Sequence, residues 1–164
     1  MYTHVLIPLD GSKAAEASVK EAVRMAPAIR SVHLLMVDEP VRGSIRLDGY
    51  VLYVDQWYRI RREMAEDYLR PIAEELRKAG LSVTQSVQFG EAGAAIAKAA
   101  ENLKVELVLL GGEEGGWFRR PTGLAGLAPR IVRRVKAAVL TVREADIRAA
   151  EDQAPQEVRV TQAA

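Results

Sequence analysis

The chain contains no cysteine, which excludes disulfide bonds, thiolate metal sites and cysteine nucleophiles. Charge of neither sign is in excess, because 23 Lys and Arg residues balance 22 Asp and Glu residues. No apolar run approaches the roughly 20 residues needed to span a bilayer. We therefore expect no nucleic-acid partner, which would favour a basic surface, and no membrane partner.

The first residues also lack a secretory signal, since Met1 leads directly into a strand-like segment instead of a basic stretch followed by a long apolar one. We therefore expect a cytoplasmic protein. The 164 residues, of which 49% are hydrophobic and 27% charged, have room for one domain with a single buried core.

Short apolar runs alternate along the chain with segments of helical periodicity, a pattern typical of repeated βαβ units. We predict an α/β fold with an open five-stranded parallel sheet flanked by helices. The predicted strands are residues 4–9, 32–37, 81–89, 105–110 and 138–142.

The longest predicted helix covers residues 54–79 and is closed by Gly80. Pro71 lies inside it and removes one backbone donor, so we predict a kink or two abutting helices there. Spacings of three and four predict the apolar face of this helix, which consists of Trp57, Ile60, Met64, Tyr68, Ile72 and Leu76.

Three shorter helices complete the predicted fold. The first begins at Lys13 with Ser12 as its N-cap, and the last begins near Ala128 and Pro129. The predicted apolar faces are Ala15, Val19, Ala22, Val23 and Ala26 in the first helix, and Ile96, Ala99, Ala100 and Leu103 in the one that follows the third strand.

Two segments lack a regular pattern. Residues 38–53 contain the glycines and scattered charges of a mobile loop. Residues 145–164 have little apolar content, and we interpret them as a flexible or loosely docked tail behind a domain of residues 1–144.

The predicted strand at residues 105–110 is followed by a glycine-rich loop that contains Gly112, Gly115 and Gly126. In open α/β sheets ligands sit at the carboxyl ends of the strands, where glycine amides and a helix N-terminus can approach an anion. The sequence therefore predicts a loop that can hold phosphate.

Four pieces of sequence, in order, resemble the universal stress protein family over residues 1 to about 144: VLIPLDGS at 5–12, LLMVDEP at 34–40, Gly90, and the glycine loop ending in VLTVRE at 139–144. The resemblance implies a sheet of the adenine nucleotide alpha hydrolase type with strand order 3-2-1-4-5. It also implies a role in stress survival and a homodimer that pairs through the last strand, here Ala138 to Val142. Members fall into an ATP-binding group and a group without ATP.

The resemblance does not imply an enzyme. ATP pyrophosphatases share this architecture, but they place a serine- and glycine-rich phosphate loop directly after the first strand, where this chain has only LDGSK at residues 9–13. His4 and His33 lie in predicted strands and are expected to be structural. We predict no catalytic residue and no metal ligand in the protein, and slow hydrolysis of bound ATP is the one reaction left open.

The phosphate loop departs from the family pattern. ATP-binding members carry Gly, two residues, Gly, nine residues, then Gly followed by Ser or Thr. Gly112 and Gly115 match, but Ala125 replaces the third glycine and Gly126 replaces the hydroxyl residue, while the next hydroxyl position is Ala128. Each lost hydrogen bond to phosphate is worth roughly 1.5–3 kcal/mol.

Other loop residues could compensate for this loss. Arg119 and Arg120 are suited to phosphate, and Thr122 supplies a hydroxyl, although loop arginines are commonly just solvated. Glu113 and Glu114 repel a polyphosphate unless Mg²⁺ lies between them. Trp117 either stacks on a base or covers a neighbouring apolar surface.

The base side of the site is better preserved, since the resemblance places Pro8, Asp10 and Val37 around the adenine. Asp10 has an alternative role, capping the turn into the first helix, and Val37 by itself is an ordinary core residue.

These observations leave two alternative functions for the protein. The first is a dimeric stress-response module that binds ATP, with Mg²⁺ as a further ligand, in weakened or altered form; its predicted site is Pro8, Asp10, Val37, Gly112, Gly115, Arg119 and Gly126. The alternative is a nucleotide-independent dimerisation or protein-interaction module. The protein partners are not indicated by the sequence.

Overall fold

The computed structural model describes residues 1–38, 45–47, 50–52, 54–111, 128, 130–143, 145, 147 and 149. Its strands are β1 (Tyr2–Leu9), β2 (Ile29–Asp38), β3 (Ile45–Leu47), β4 (Tyr50–Leu52), β5 (Ser82–Phe89), β6 (Leu107–Gly111) and β7 (Ala138–Val142). Its helices are α1 (Lys13–Arg24), α2 (Val54–Lys78) and α3 (Ala92–Asn102), and Ala26–Ala28 form a 3₁₀ turn. Among these helices none is long and apolar enough to cross a membrane.

Five of the strands form one parallel sheet in the order β5-β2-β1-β6-β7. Counted along the chain within the sheet, this order is 3-2-1-4-5, so the predicted fold is confirmed. The strand order reverses between β1 and β6, and such a switch point opens a crevice at the carboxyl ends of the strands.

Helices cover both faces of the sheet, which explains why its central strands are apolar on both sides. Val5, Ile7 and Leu9 of β1 pack in one apolar cluster with α1 and α2. Leu6 packs on the opposite face in a second cluster with α3 and with Ile131. Burying each such side chain stabilises the fold by roughly 1.5–3 kcal/mol.

The predicted helix ends are confirmed. The Ser12 hydroxyl accepts a hydrogen bond of 3.1 Å from the backbone N–H of Ala15 and caps α1. Gly80 follows α2 with φ +88°, a left-handed conformation that favours glycine. Ala128 and residues 130–132 are helical, in agreement with the predicted last helix, while Pro129 lies outside the described residues.

The predicted apolar face of α2 is wrong in its first half. Ile60 is 41% exposed and Met64 57% exposed, whereas Leu69 is fully buried. The buried stripe consists of Ala65, Leu69, Ile72, Ala73 and Leu76. α2 is one helix that continues through Pro71, so the alternative of two abutting helices is also wrong.

Three further differences concern segment ends. The predicted loop at residues 38–53 contains two short strands, β3 and β4, which pair antiparallel. The other residues from 39 to 53 lie outside the described residues. Leu103 is 40% exposed because it caps the end of α3 rather than lying within it. Beyond the predicted domain end at residue 144, Ile147 is 1% exposed and packs with Ala17 and Val142.

The corrected face of α2 predicts a clear asymmetry in stability. Leu69→Ala should lower the free energy of unfolding by about 2–5 kcal/mol, because it leaves a cavity in the core. Met64→Ala, five residues away on the exposed side, should change it by less than about 0.5 kcal/mol. Urea unfolding followed by circular dichroism measures both, and equal losses would contradict the assignment of the buried stripe.

Candidate functional site

The carboxyl ends of β1, β2 and β6 meet at one edge of the sheet, since these strands are parallel neighbours. Pro8 near the end of β1 lies opposite Leu35 in β2. The pairing ends at Leu9 and Met36, and Asp10 and Val37 are the residues that directly follow this last pair. The fold thus brings the three predicted base-binding residues to the same edge.

Pro8 and Val37 also share a face of the sheet. Side chains alternate along a strand, so Pro8 points to the same side as Leu6, which packs in the cluster beneath α3. Val37 belongs to that cluster and is 4% exposed. Ala92, the first residue of α3, packs against the cluster, so this pair lies on the α3 side of the sheet.

Asp10 fixes the turn that joins β1 to α1. Its Oδ1 atom accepts a hydrogen bond of 2.9 Å from the backbone N–H of Ser12. Gly11, between these residues, has φ +81°, where a side chain would be strained. The capping role considered for Asp10 is therefore realised, and its role toward adenine stays a prediction.

Tyr68 ties α2 to α1 beside this turn. Its hydroxyl donates a hydrogen bond of 3.0 Å to Oε1 of Glu16. Burial raises the pKa of Tyr68, and the negative charges of Glu16 and Asp10 raise it further. The side chain therefore remains a neutral donor at neutral pH.

A partly buried ion pair lies at the end of β2. Nε of Arg61 in α2 is 2.6 Å from Oδ2 of Asp38, whose side chain is only 14% exposed. This hydrogen bond to Asp38 raises the pKa of Arg61. The backbone carbonyl of Asp38 also accepts a hydrogen bond of 2.9 Å from Gly90, so one residue holds both α2 and the turn after β5.

Aromatic side chains pack beside this ion pair. The rings of Tyr58 and Phe89 meet edge to face with their centroids 4.7 Å apart. Cζ of Arg61 lies 5.7 Å from the ring centroid of Trp57, within the range of a cation–π contact. Neither this aromatic cluster nor the Asp38 ion pair is predictable from the sequence, because contacts between distant segments leave no periodic signal.

Glu91 is a further residue at this edge that the sequence does not predict. Its carboxylate accepts hydrogen bonds of 3.1 and 2.7 Å from the backbone N–H groups of Gly93 and Ala94, and so caps α3. Arg130 and Arg134 approach the same carboxylate at 3.6 and 3.7 Å. An acidic residue directly before a helical pattern was the available signal for the cap.

The phosphate side of the predicted site lies outside the described residues. Gly111, the last residue of β6, is buried and leads into it. The predicted site residues that fall there are Gly112, Gly115, Arg119 and Gly126, together with the other loop residues considered above, Glu113, Glu114, Trp117, Arg120, Thr122 and Ala125.

The histidine and acidic side chains of the described residues are the candidates for metal binding and for acid–base chemistry. No group of three or more His, Asp or Glu side chains there could hold a metal ion. His33 lies between the hydroxyls of Thr84 and Ser86, each 2.8 Å from a ring nitrogen, and burial lowers its pKa. His33 therefore has two hydroxyl partners in β5, and its structural role stays a prediction.

The strand order and the crevice at the carboxyl edge define an open α/β protein of the doubly wound type. A profile of the universal stress protein family matches residues 1–143. The chain therefore belongs to the universal stress protein family. No curated protein matches the sequence.

Solved structures share this fold at low sequence identity. Universal stress protein UspA from Lactobacillus plantarum is 19% identical with a TM-score of 0.68, over 87% of this chain and 98% of that one. A universal stress protein in complex with cAMP is 20% identical with a TM-score of 0.59, over 87% and 97%. A family member from Arabidopsis thaliana with AMP bound is 14% identical with a TM-score of 0.59, over 94% and 97%.

The contact between Tyr68 and Glu16 predicts a pH-dependent contribution to stability. Tyr68→Phe should cost about 1 kcal/mol at pH 7, because it removes a half-buried hydrogen bond to a carboxylate. Because the folded pKa lies above the unfolded value of about 10, this stability is complete below pH 10 and is lost as the pH rises further.

The phenylalanine variant should therefore lose less stability than the wild type when the pH rises above about 10. Urea unfolding between pH 7 and 11 measures this difference. Tyr2→Phe is a matched control, because among the described residues the Tyr2 hydroxyl forms no hydrogen bond with a carboxylate. Parallel pH profiles for wild type and Tyr68→Phe would contradict the coupling.

Proposed function

We propose that this universal stress protein binds an adenine nucleotide at the carboxyl edge of β1 and β2, with Pro8, Asp10 and Val37 on the base side. The proposal is carried by the shared face of Pro8 and Val37 at the carboxyl ends of β1 and β2, next to the turn that Asp10 holds. Structures of the same fold with cAMP and AMP bound support the ligand class.

The phosphate side of the proposed site is weakened. Ala125 and Gly126 replace a glycine and a hydroxyl residue, and each lost hydrogen bond to phosphate would cost roughly 1.5–3 kcal/mol. Arg119 within the loop offsets part of this loss, and Arg130 brings further positive charge to the start of α3. We therefore propose weakened ATP binding, with Mg²⁺ as a counterion for the phosphates and the loop carboxylates.

The protein acts in this proposal as a binding module in the cytoplasm rather than as an enzyme. Nucleotide occupancy changes the glycine loop and the segment between β2 and α2, and so changes the surface that a dimer presents to protein partners. The ion pair between Asp38 and Arg61 supports this link, because it connects the end of β2 to the first half of α2.

Isothermal titration of ATP, ADP and AMP into the nucleotide-stripped protein, with and without Mg²⁺, tests the proposal. We expect affinity that rises with phosphate number. Affinity that is indifferent to phosphates would restrict the site to its base side. Absence of binding would contradict the proposal and favour the nucleotide-independent interaction module, for which Ala125, Gly126 and Ala128 in the phosphate loop are the specific observation.

Asp10→Ala should weaken adenosine and ATP by the same factor, of about tenfold, because it removes a contact on the base side only. Ser12→Ala is the matched control, since it damages the same turn by removing the N-cap of α1 and costs about 1 kcal/mol of stability. Titration calorimetry, at a temperature at which both variants are folded, measures the affinities. Equal binding by wild type and Asp10→Ala, or equal weakening by Ser12→Ala, would contradict a contact with the base.

We further propose that the protein is a homodimer that pairs through β7. This strand is an edge of the sheet, since among the described strands it pairs with β6 alone. Leu140 in the strand is 39% exposed. An exposed apolar edge strand offers unpaired backbone groups to a second chain, and a two-fold axis would satisfy both edges together.

Leu140→Lys should shift the protein from dimer to monomer in sedimentation velocity, because it places like charges from both copies in the proposed interface. Val132→Lys is the matched control, since Val132 is an exposed apolar residue of the final helix, outside β7. Circular dichroism confirms that each variant is folded. A Leu140→Lys variant that remains a dimer would refute the β7 interface.

A further inference from the structure

A second pocket lies at the opposite edge of the sheet, where the strands begin. It has a volume of about 360 Å³, which is within the range of small-molecule sites. The pocket is bounded by the end of α3 and by the segment that joins the final helix to β7. Its apolar lining consists of Ala100, Val105, Val135 and Ala137.

Charged residues complete the lining of this pocket, which we call the amino-edge pocket. Lys104 and Lys136 supply two ammonium groups, and Glu101 supplies one carboxylate that opposes an anion. Arg134 lines the pocket as well, but its guanidinium lies 3.7 Å from the Glu91 carboxylate and forms an ion pair with it. Within the described part of the chain, neither Lys104 nor Lys136 is within ion-pair distance of a carboxylate.

The backbone at Lys104 is unusual. The N–H of Val105 donates to the carbonyl of Ala100 and the N–H of Lys104 to that of Glu101, and Lys104 has φ +50°. This helix-ending motif normally carries glycine at the left-handed position. The same chain ends α2 with the same pair of hydrogen bonds and places Gly80 there.

Lysine at a position that favours glycine strains the backbone, and such strain persists where a side chain has another role. At this position the side chain of Lys104 lines the amino-edge pocket. The strained lysine, the second lysine of the lining and the apolar residues together indicate a ligand with an anionic group and an apolar body.

We propose that the amino-edge pocket binds a small organic anion, whose apolar body packs on Val105, Val135 and Ala137 and whose carboxylate or phosphate group contacts Lys104 and Lys136. This site is separate from the nucleotide site, because it lies at the other end of the strands. Its occupancy does not depend on nucleotide binding.

Amide chemical shifts of the full-length, ¹⁵N-labelled protein test the proposal, with benzoate and phenyl phosphate as probes and the neutral isostere benzamide as the control ligand. Benzoate should produce saturable shifts at the amides of Val105 and Ala137, with an affinity at least roughly tenfold above that of benzamide. Equal binding of benzamide, no saturable shift, or shifts confined to Asp10 and Val37 would overturn the proposal.

Variants that change the charge of single residues test which side chains contact the bound anion. Lys136→Gln should weaken benzoate by roughly three- to tenfold, while Glu101→Gln should strengthen it, because the two changes alter the pocket's charge in opposite directions. Lys98→Gln is the matched control, since Lys98 is an exposed lysine of α3 that does not line the pocket. Benzoate affinity that falls equally in Lys98→Gln and Lys136→Gln would overturn a local contact.

Lys104→Gly separates binding from stability. Glycine relieves the left-handed strain, so the melting temperature should rise while benzoate binding weakens by roughly three- to tenfold. A protein that is more stable yet binds less cannot owe its weaker binding to unfolding. Unchanged benzoate affinity in Lys104→Gly, whatever its melting temperature, would overturn the role of this lysine and with it the proposal.

Discussion

The structure depends on one constraint, which is that a parallel sheet must be covered on both faces. In β1 the side chains of Ile7 and Leu6 point to opposite clusters and are both fully buried. Crossover helices are what keep the strands parallel, so all carboxyl ends lie at one edge and all amino ends at the other. The burial that stabilises the fold therefore also decides where polar groups can gather, namely at the two edges where the helices begin and end.

The two edges have opposite electrostatic character. α1 and α3 begin at the carboxyl edge, where their free N–H groups are met by the hydroxyl of Ser12 and the carboxylate of Glu91. α3 ends at the amino edge, where free carbonyl groups favour cations. The helix dipole alone accounts for a lysine near such an end, as it does for Lys78 in the last turn of α2. It does not account for Lys104, because the dipole gives no reason to accept a left-handed backbone.

Sequence patterns predict the helix caps and strands that depend mainly on neighbouring residues. Ser12 and Gly80 were identified from capping chemistry, and β7 from a short apolar run. The first half of the predicted face of α2 is wrong because Met64 and Ala65, and likewise Tyr68 and Leu69, both fit spacings of three and four with the second half of the helix, so periodicity alone does not say which of them meet the sheet. Ala65 and Leu69 are the buried ones.

The sequence predicts the location of the candidate site, at the carboxyl ends of the strands, better than it predicts the ligand. Pro8 and Val37 are buried, so the core requires apolar residues there with or without a nucleotide, and the proposal rests on their position at the strand ends rather than on their residue type. The phosphate-loop positions are different, because the departures at Ala125 and Gly126 follow no core requirement visible in the sequence pattern. A change at such a position alters ligand chemistry more directly than a change at a buried strand end. The phosphate-loop residues therefore distinguish a nucleotide-binding from a nucleotide-independent protein, since the buried residues at the ends of β1 and β2 serve the core in either case.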